Sequence, residues 1–164
     1  MLYEYAHEDK IDLIVTIDWS TPITHDVLYS GLSDFDETAY FYALVGRIEK
    51  QWWAYYIGKV NNQYVSQRHK NQDHKQRLRM LREGYPDMVW HITLGTPHVE
   101  GGRVTPGVID DIEGLLIYSH RHEETINKSK ISRFSSSRSI KVVNKGFSDP
   151  FYKEVGYGVF RSQE

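Results

Sequence analysis

The sequence of 164 residues contains no cysteine. That excludes a disulfide framework and any thiolate metal site, and it fits a reducing cytoplasm. No apolar run approaches the length of a membrane span, and the N-terminal stretch MLYEYAHEDK lacks the basic-then-apolar pattern of a signal peptide. A soluble cytoplasmic protein with no membrane partner is expected. No internal repeat and no composition shift marks a domain boundary.

What is present is ordinary in bulk: 40% apolar and 26% charged residues, as in a globular domain with a proper core. The expectation is one domain over residues 1–164, read as an acidic N-terminal extension (1–37), a core (38–133) and C-terminal strands (134–164). The net charge of −2 conceals an asymmetry. Up to Thr38, nine acids (Glu4, Glu8, Asp9, Asp12, Asp18, Asp26, Asp34, Asp36, Glu37) face Lys10 alone. From Lys59 to Arg82 the bases Lys59, Arg68, Lys70, Lys75, Arg77, Arg79 and Arg82 outnumber the acids, and a second basic stretch runs from Arg121 to Lys145. Two basic segments beside an acidic one suit a polyanionic partner, although a helix exposing Lys and Arg has the same composition.

Asp12 to Trp19 reads as a β-branched strand. After it, Ser20 or Thr21 is able to cap a helix with Pro22 in its first turn. AYFYALVGRI and QWWAYYIGKV form a β-hairpin turning at Glu49-Lys50. A basic helix follows and ends with Arg82 before Gly84, and DMVWHITLG is a further strand. Thr105-Pro106 opens a helix with Val108, Ile109, Ile112, Leu115 and Leu116 at helical spacing, and a Ser-rich connector leads to short strands. The predicted class is α+β, with a small, largely antiparallel central sheet carrying a Tyr-rich hairpin and flanked by helices.

Strict alternation places Tyr40 and Tyr42 on one face of their strand. On the next strand it puts Tyr56 and Gly58 together, and Trp53, Tyr55 and Ile57 on the opposite face. Gly58 before Lys59 permits close backbone approach to a ligand; otherwise the rings are half-buried sheet packing. Glu113 lies one step round from Ile112, at the border of its helix's apolar stripe. Tyr, Arg and Glu together suit phosphodiester cleavage. A guanidinium neutralises the non-bridging oxygens, a carboxylate holds a magnesium ion, and a phenol hydroxyl orients the attacking water.

The hairpin resembles the GIY-YIG nuclease family: YIG stands intact at Tyr56-Ile57-Gly58, and Tyr42 of Tyr40-Phe41-Tyr42 matches the Tyr of GIY. Tyr40 stands in place of that motif's Gly. The resemblance, over about residues 39–133, implies Arg68 as the phosphate clamp, Glu113 as the metal ligand, and Asn127 in the family's later Asn position. It implies a Mg2+- (or Mn2+-) dependent endonuclease acting on DNA, restriction- or repair-like, and a homodimer if both strands of a duplex are cut. Tyr42, Tyr56, Arg68 and Glu113 are then the catalytic set. Lys59, His74 and Asn127 are supporting phosphate contacts, each with a plainer reading as a surface or turn residue. His120 and His122 stand two apart beside Glu123, a spacing that turns their rings to opposite helix flanks and away from one shared metal. Two alternatives stay open: a nuclease-like module that binds nucleic acid without turnover, and a structural or interaction domain whose Tyr-rich hairpin is core.

Overall fold

A computed structural model describes residues 11–24, 38–64, 72–100, 102–123, 125–127, 130–156 and 159–161. Along the chain these form β1 (Leu13–Trp19), β2 (Ile23–Thr24), β3 (Thr38–Ile48), β4 (Gln51–Tyr64), helix α1 (Gln72–Gly84), β5 (His91–Glu100), helix α2 (Pro106–His120), β6 (Ile140–Gly146), β7 (Glu154–Gly156) and β8 (Val159–Arg161). The strands make one sheet in the order β4-β3-β5-β1-β6-β7-β8, with β2 pairing to β5.

This corrects the expected class. The molecule is a strongly curled mixed sheet, a half-barrel, with two short helices among the described residues, instead of a small antiparallel sheet flanked by helices. Two pairings account for the difference. β1 runs antiparallel to β5 and parallel to β6, from Leu13 opposite Ile140 to Trp19 opposite Gly146. The strand expected inside an N-terminal extension therefore lies within the sheet. Its parallel partner is 127 residues away, a separation that local pattern does not report.

The curl follows from what α2 touches. α2 contacts β4, at one end of the order, and also β7, five strand spacings along. A flat sheet would separate those strands by about 24 Å, yet a helix with its side chains is only about 10–12 Å across. Curling of the sheet around α2 brings both strands onto the helix. A bulge between Leu44 and Val45 adds the local twist that such wrapping needs.

β1 alternates strictly, with Leu13, Val15, Ile17 and Trp19 buried, and β6 sends Ile140 and Val142 to the same side. That face receives Val108, Ile109, Ile112, Leu115 and Leu116 of α2, the residues whose helical spacing the sequence displays. α2 starts as expected: the Thr105 hydroxyl accepts from the Val108 amide at 3.2 Å, and Pro106 occupies the first turn. On the opposite face, Leu78 and Leu81 of α1 cover the β4-β3-β5 end, over Tyr42, Leu44, Tyr55, Ile92 and Leu94.

The helix expected to open at Ser20 to Pro22 does not begin there. Ser20 is tied to β5: its amide donates to Leu94 O (2.8 Å), its hydroxyl accepts from Leu94 N (3.0 Å), and its carbonyl accepts from the buried Thr93 hydroxyl (2.7 Å). Ile23–Thr24 then pairs with β5. A capping residue's hydroxyl serves a neighbouring strand equally well, and here the strand has it.

Buried polar groups lock the sheet's far half to α2. Trp19 Nε1 donates to Asn144 Oδ1 at 2.9 Å, and Asn144 Nδ2 donates to Tyr152 O at 2.8 Å. The Tyr152 amide donates to His120 Nε2 at 2.9 Å, and His120 Nδ1 donates to Leu116 O at 2.8 Å. Those partners allow only the neutral ring with its proton on Nδ1. Burial holds the His120 pKa down at about 4, despite the opposing pull of the Leu116 carbonyl.

Candidate functional site

β3 and β4 form the expected hairpin, with Glu49 in the turn at φ 55°. β4 ends the sheet order, so among the described residues one of its edges has no strand beside it. The bulge changes which residues share a face. Val45 opposes Ala54 and Leu44 opposes Tyr56, leaving Tyr55 as the extra residue. Tyr55 consequently packs with Tyr56 in the Tyr42 and Leu78 cluster, away from Ile57, which joins the α2 core. Strict alternation had put Tyr55 with Ile57; a single bulge reverses it.

On the α1 face, Tyr42 and Tyr56 stand 5.8 Å apart between ring centroids. Tyr42 is only 1% exposed, whereas Tyr56 is half-buried. Gly58 opposes Tyr42, and a Cβ there would lie 2.6 Å from the Tyr42 ring and hydroxyl. The glycine of YIG thus makes room for the tyrosine across the hairpin. Above them, Arg77 of α1 donates from Nη1 to the Tyr56 hydroxyl at 2.9 Å, with its guanidinium 4.8 Å from the ring centroid. Lys75, Arg79 and Arg82 of the same helix are exposed.

Glu113 and Lys59 lie on the other face, with α2. Lys59 opposes Phe41, a residue of the α2 core. Its Nζ reaches Asp110 Oδ1 at 2.5 Å and Glu113 Oε2 at 3.7 Å. Lys130, held at φ 64°, donates to Asp110 Oδ1 and Glu113 Oε2, both at 2.7 Å. Hydrogen bonds from Lys130, then Lys59, draw the Asp110 pKa below the usual carboxylate range against the effect of burial. Burial works against the Lys130 ammonium, but its bonds to Asp110 and Glu113 outweigh this and raise its pKa.

The expected site residues therefore fall into two groups on opposite faces of the hairpin: the catalytic candidates Tyr42 and Tyr56 on one, and the catalytic candidate Glu113 with the supporting Lys59 on the other. Arg68 lies outside the described residues, as does the side chain of His74. Asn127 sits between the groups, at the rim. Its Nδ2 donates to Ile57 O (2.9 Å) and its Oδ1 accepts from Ile57 N (3.1 Å), so one side-chain amide pairs with the free edge of β4 as a strand would. Ile126 N donates to Tyr55 O in the same way.

In this arrangement Glu113 is paired with two ammonium groups. Lys130 and Lys59 already neutralise the carboxylate, and a divalent cation would have to displace an ammonium. Among the described residues no group of three or more His, Asp and Glu is placed to hold a metal ion. His120 and His122 serve separate purposes: His120 joins α2 to Tyr152, and His122 Nε2 donates to Ala54 O at 2.7 Å on the rim of β4.

Arg77 and Lys130 count in the sequence only as members of the two basic stretches, with no site role of their own. Arg77 borders the Leu78 and Leu81 stripe just as Glu113 borders that of α2, and the same border argument finds it. For Lys130 the sequence shows a base in a connector but not its partner, because a connector residue is paired only by the fold. No family model, curated protein or solved structure matches the chain. Among the described residues no helix is long and apolar enough to cross a membrane.

Proposed function

We propose that the chain is a cytoplasmic DNA-binding protein that grips the phosphodiester backbone through the α1 face of the β3–β4 hairpin. The observation that carries this reading is the Arg77 guanidinium held at 2.9 Å on the Tyr56 hydroxyl, on a helix segment with four bases against two acids. A guanidinium oriented by a phenol, with exposed cations along the same helix, suits the non-bridging oxygens of a phosphate. Binding requires neither a metal nor the meeting of both groups of residues. Filter binding of duplex DNA across a salt series tests it. Each phosphate contact contributes about 0.9 to the slope of log K against log salt, so Arg77→Ala should weaken binding and lower the slope by about that amount. Salt-insensitive or absent binding by the intact chain would sink the proposal.

A second reading, hydrolysis by a GIY-YIG-type endonuclease acting as a homodimer, draws on the pairing of a Tyr hydroxyl with a guanidinium beside an intact YIG. It requires the scissile phosphate to bridge the rim of β4, with Glu113 released from Lys130. Supercoiled plasmid incubated with Mg2+ or Mn2+ should then be nicked, and Tyr56→Phe and Glu113→Ala should abolish nicking. DNA retained but intact leaves the binding reading alone.

A further inference from the structure

A cleft of about 310 Å³ opens beside the first residues of β4, between the end of α2 and the 149–152 turn. Trp52 and Trp53 both line it. As neighbours in a strand they point to opposite faces, so the cleft lies at the free rim of β4 and is walled from both sides. Phe151 and Tyr152 line it as well, Phe151 with little of its ring exposed because it stacks on Trp19 at 4.2 Å. His122, bonded to Ala54 O and 5.6 Å from the Trp53 ring, stands beside them.

Trp53 is 37% exposed, which is unusual for so large an apolar ring. Trp52 is fixed by edge-to-face contacts with His91 (5.1 Å) and Phe147 (5.3 Å). Tyr152 is fixed through its amide on His120, so these walls keep their shape. Gln51, Arg121 and Asp149, with His122, bring hydrogen-bond donors and acceptors beside these rings, so the lining is mixed polar and aromatic.

We infer that this cleft takes the base of an unpaired nucleotide. An exposed indole face at Trp53 beside donors and acceptors matches a nucleobase, whose faces stack and whose edge carries both kinds of group. Continuity with the proposed backbone contact adds to the match. Trp53 and Tyr56 stand on the same strand, about 10 Å apart by strand rise, so a strand gripped at Arg77 and Tyr56 can seat a neighbouring base at Trp53. The inference rests on the DNA-binding reading and adds to it a preference for single-stranded or unpaired regions.

Fluorescence anisotropy with a labelled oligothymidylate and a duplex of equal length tests it. The intact chain should prefer the single strand. Trp53→Ala should weaken that binding roughly 5- to 150-fold, the loss of one base stack, while duplex binding stays unchanged and Trp53→Phe restores most of the loss. Arg77→Ala should weaken both ligands. Trp53→Ala binding the single strand as the intact chain does would overturn the cleft assignment and leave the backbone reading standing. A change in oligomeric state on Trp53→Ala without any change in binding would assign the cleft to a second copy and equally overturn it. If neither DNA binds, the backbone reading fails. Thymidine 5′-monophosphate then decides the cleft alone: its quenching of tryptophan fluorescence must be present in the intact chain and lost in Trp53→Ala, and absent quenching overturns the inference.

Discussion

His120 makes the stability of this protein depend on pH in a way that one substitution can isolate. The folded ring is neutral, because Tyr152 N points a proton at Nε2 and burial holds the pKa near 4, below the ordinary 6.5. In the unfolded chain the same ring takes a proton as pH falls through about 6.5. Between those two values the unfolded state binds one more proton than the native state, so stability falls with falling pH. The contribution is complete above about pH 6.5 and is lost on descending towards pH 4. The slope approaches about 1.4 kcal/mol per pH unit, and the integrated loss is about 3 kcal/mol.

His120→Leu removes this linkage at the expense of an unpaired Tyr152 amide, which costs about 1–3 kcal/mol. At neutral pH the variant should therefore be less stable than the parent. The two stability curves should converge as pH falls and meet between about pH 6 and pH 4, at lower pH the larger the cost of the unpaired amide. Urea unfolding followed by tryptophan fluorescence at half-unit pH steps measures both curves. Carboxylates common to the two proteins cancel in the difference. Curves that run parallel from pH 7 to 4.5 would refute the neutral, buried His120.

Two further outcomes follow from the packing. Gly146 has φ 72°, and a Cβ there would lie 2.3 Å from Trp19 O, so Gly146→Ala combines backbone strain with a clash that no side-chain rotation relieves; thermal melting should show a loss of at least about 2 kcal/mol. Asn127→Ala removes both bonds to Ile57 and should cost about 1–2 kcal/mol, with faster hydrogen exchange at the Ile57 amide and little change at Val142 in the sheet's other half.

Much of the hairpin was legible because its cause is local. Tyr-rich β-branched runs, a short polar turn and a capped amphipathic helix at Thr105-Pro106 each depend on neighbours within a few residues, and each formed where expected. The bulge at Tyr55 was not legible, because it depends on how the ribbon twists to enclose α2. Its consequence for the site is large: an alternation count places Tyr55 with Ile57, and one extra residue moves it to Tyr42 and Tyr56.

The sequence by itself determined that the molecule has no disulfide or thiolate site, where β1, the β3–β4 hairpin and α2 run, and which faces of β1 and α2 are apolar. These are questions of composition and period. Only the tertiary structure decided that β1 enters the sheet beside β6, that Lys130 reaches Glu113, and that Arg77 rests on Tyr56. Each of those contacts joins residues far apart in the chain. Their energies arise when long-range pairing curls the sheet and removes the groups from water, and no local pattern records that event.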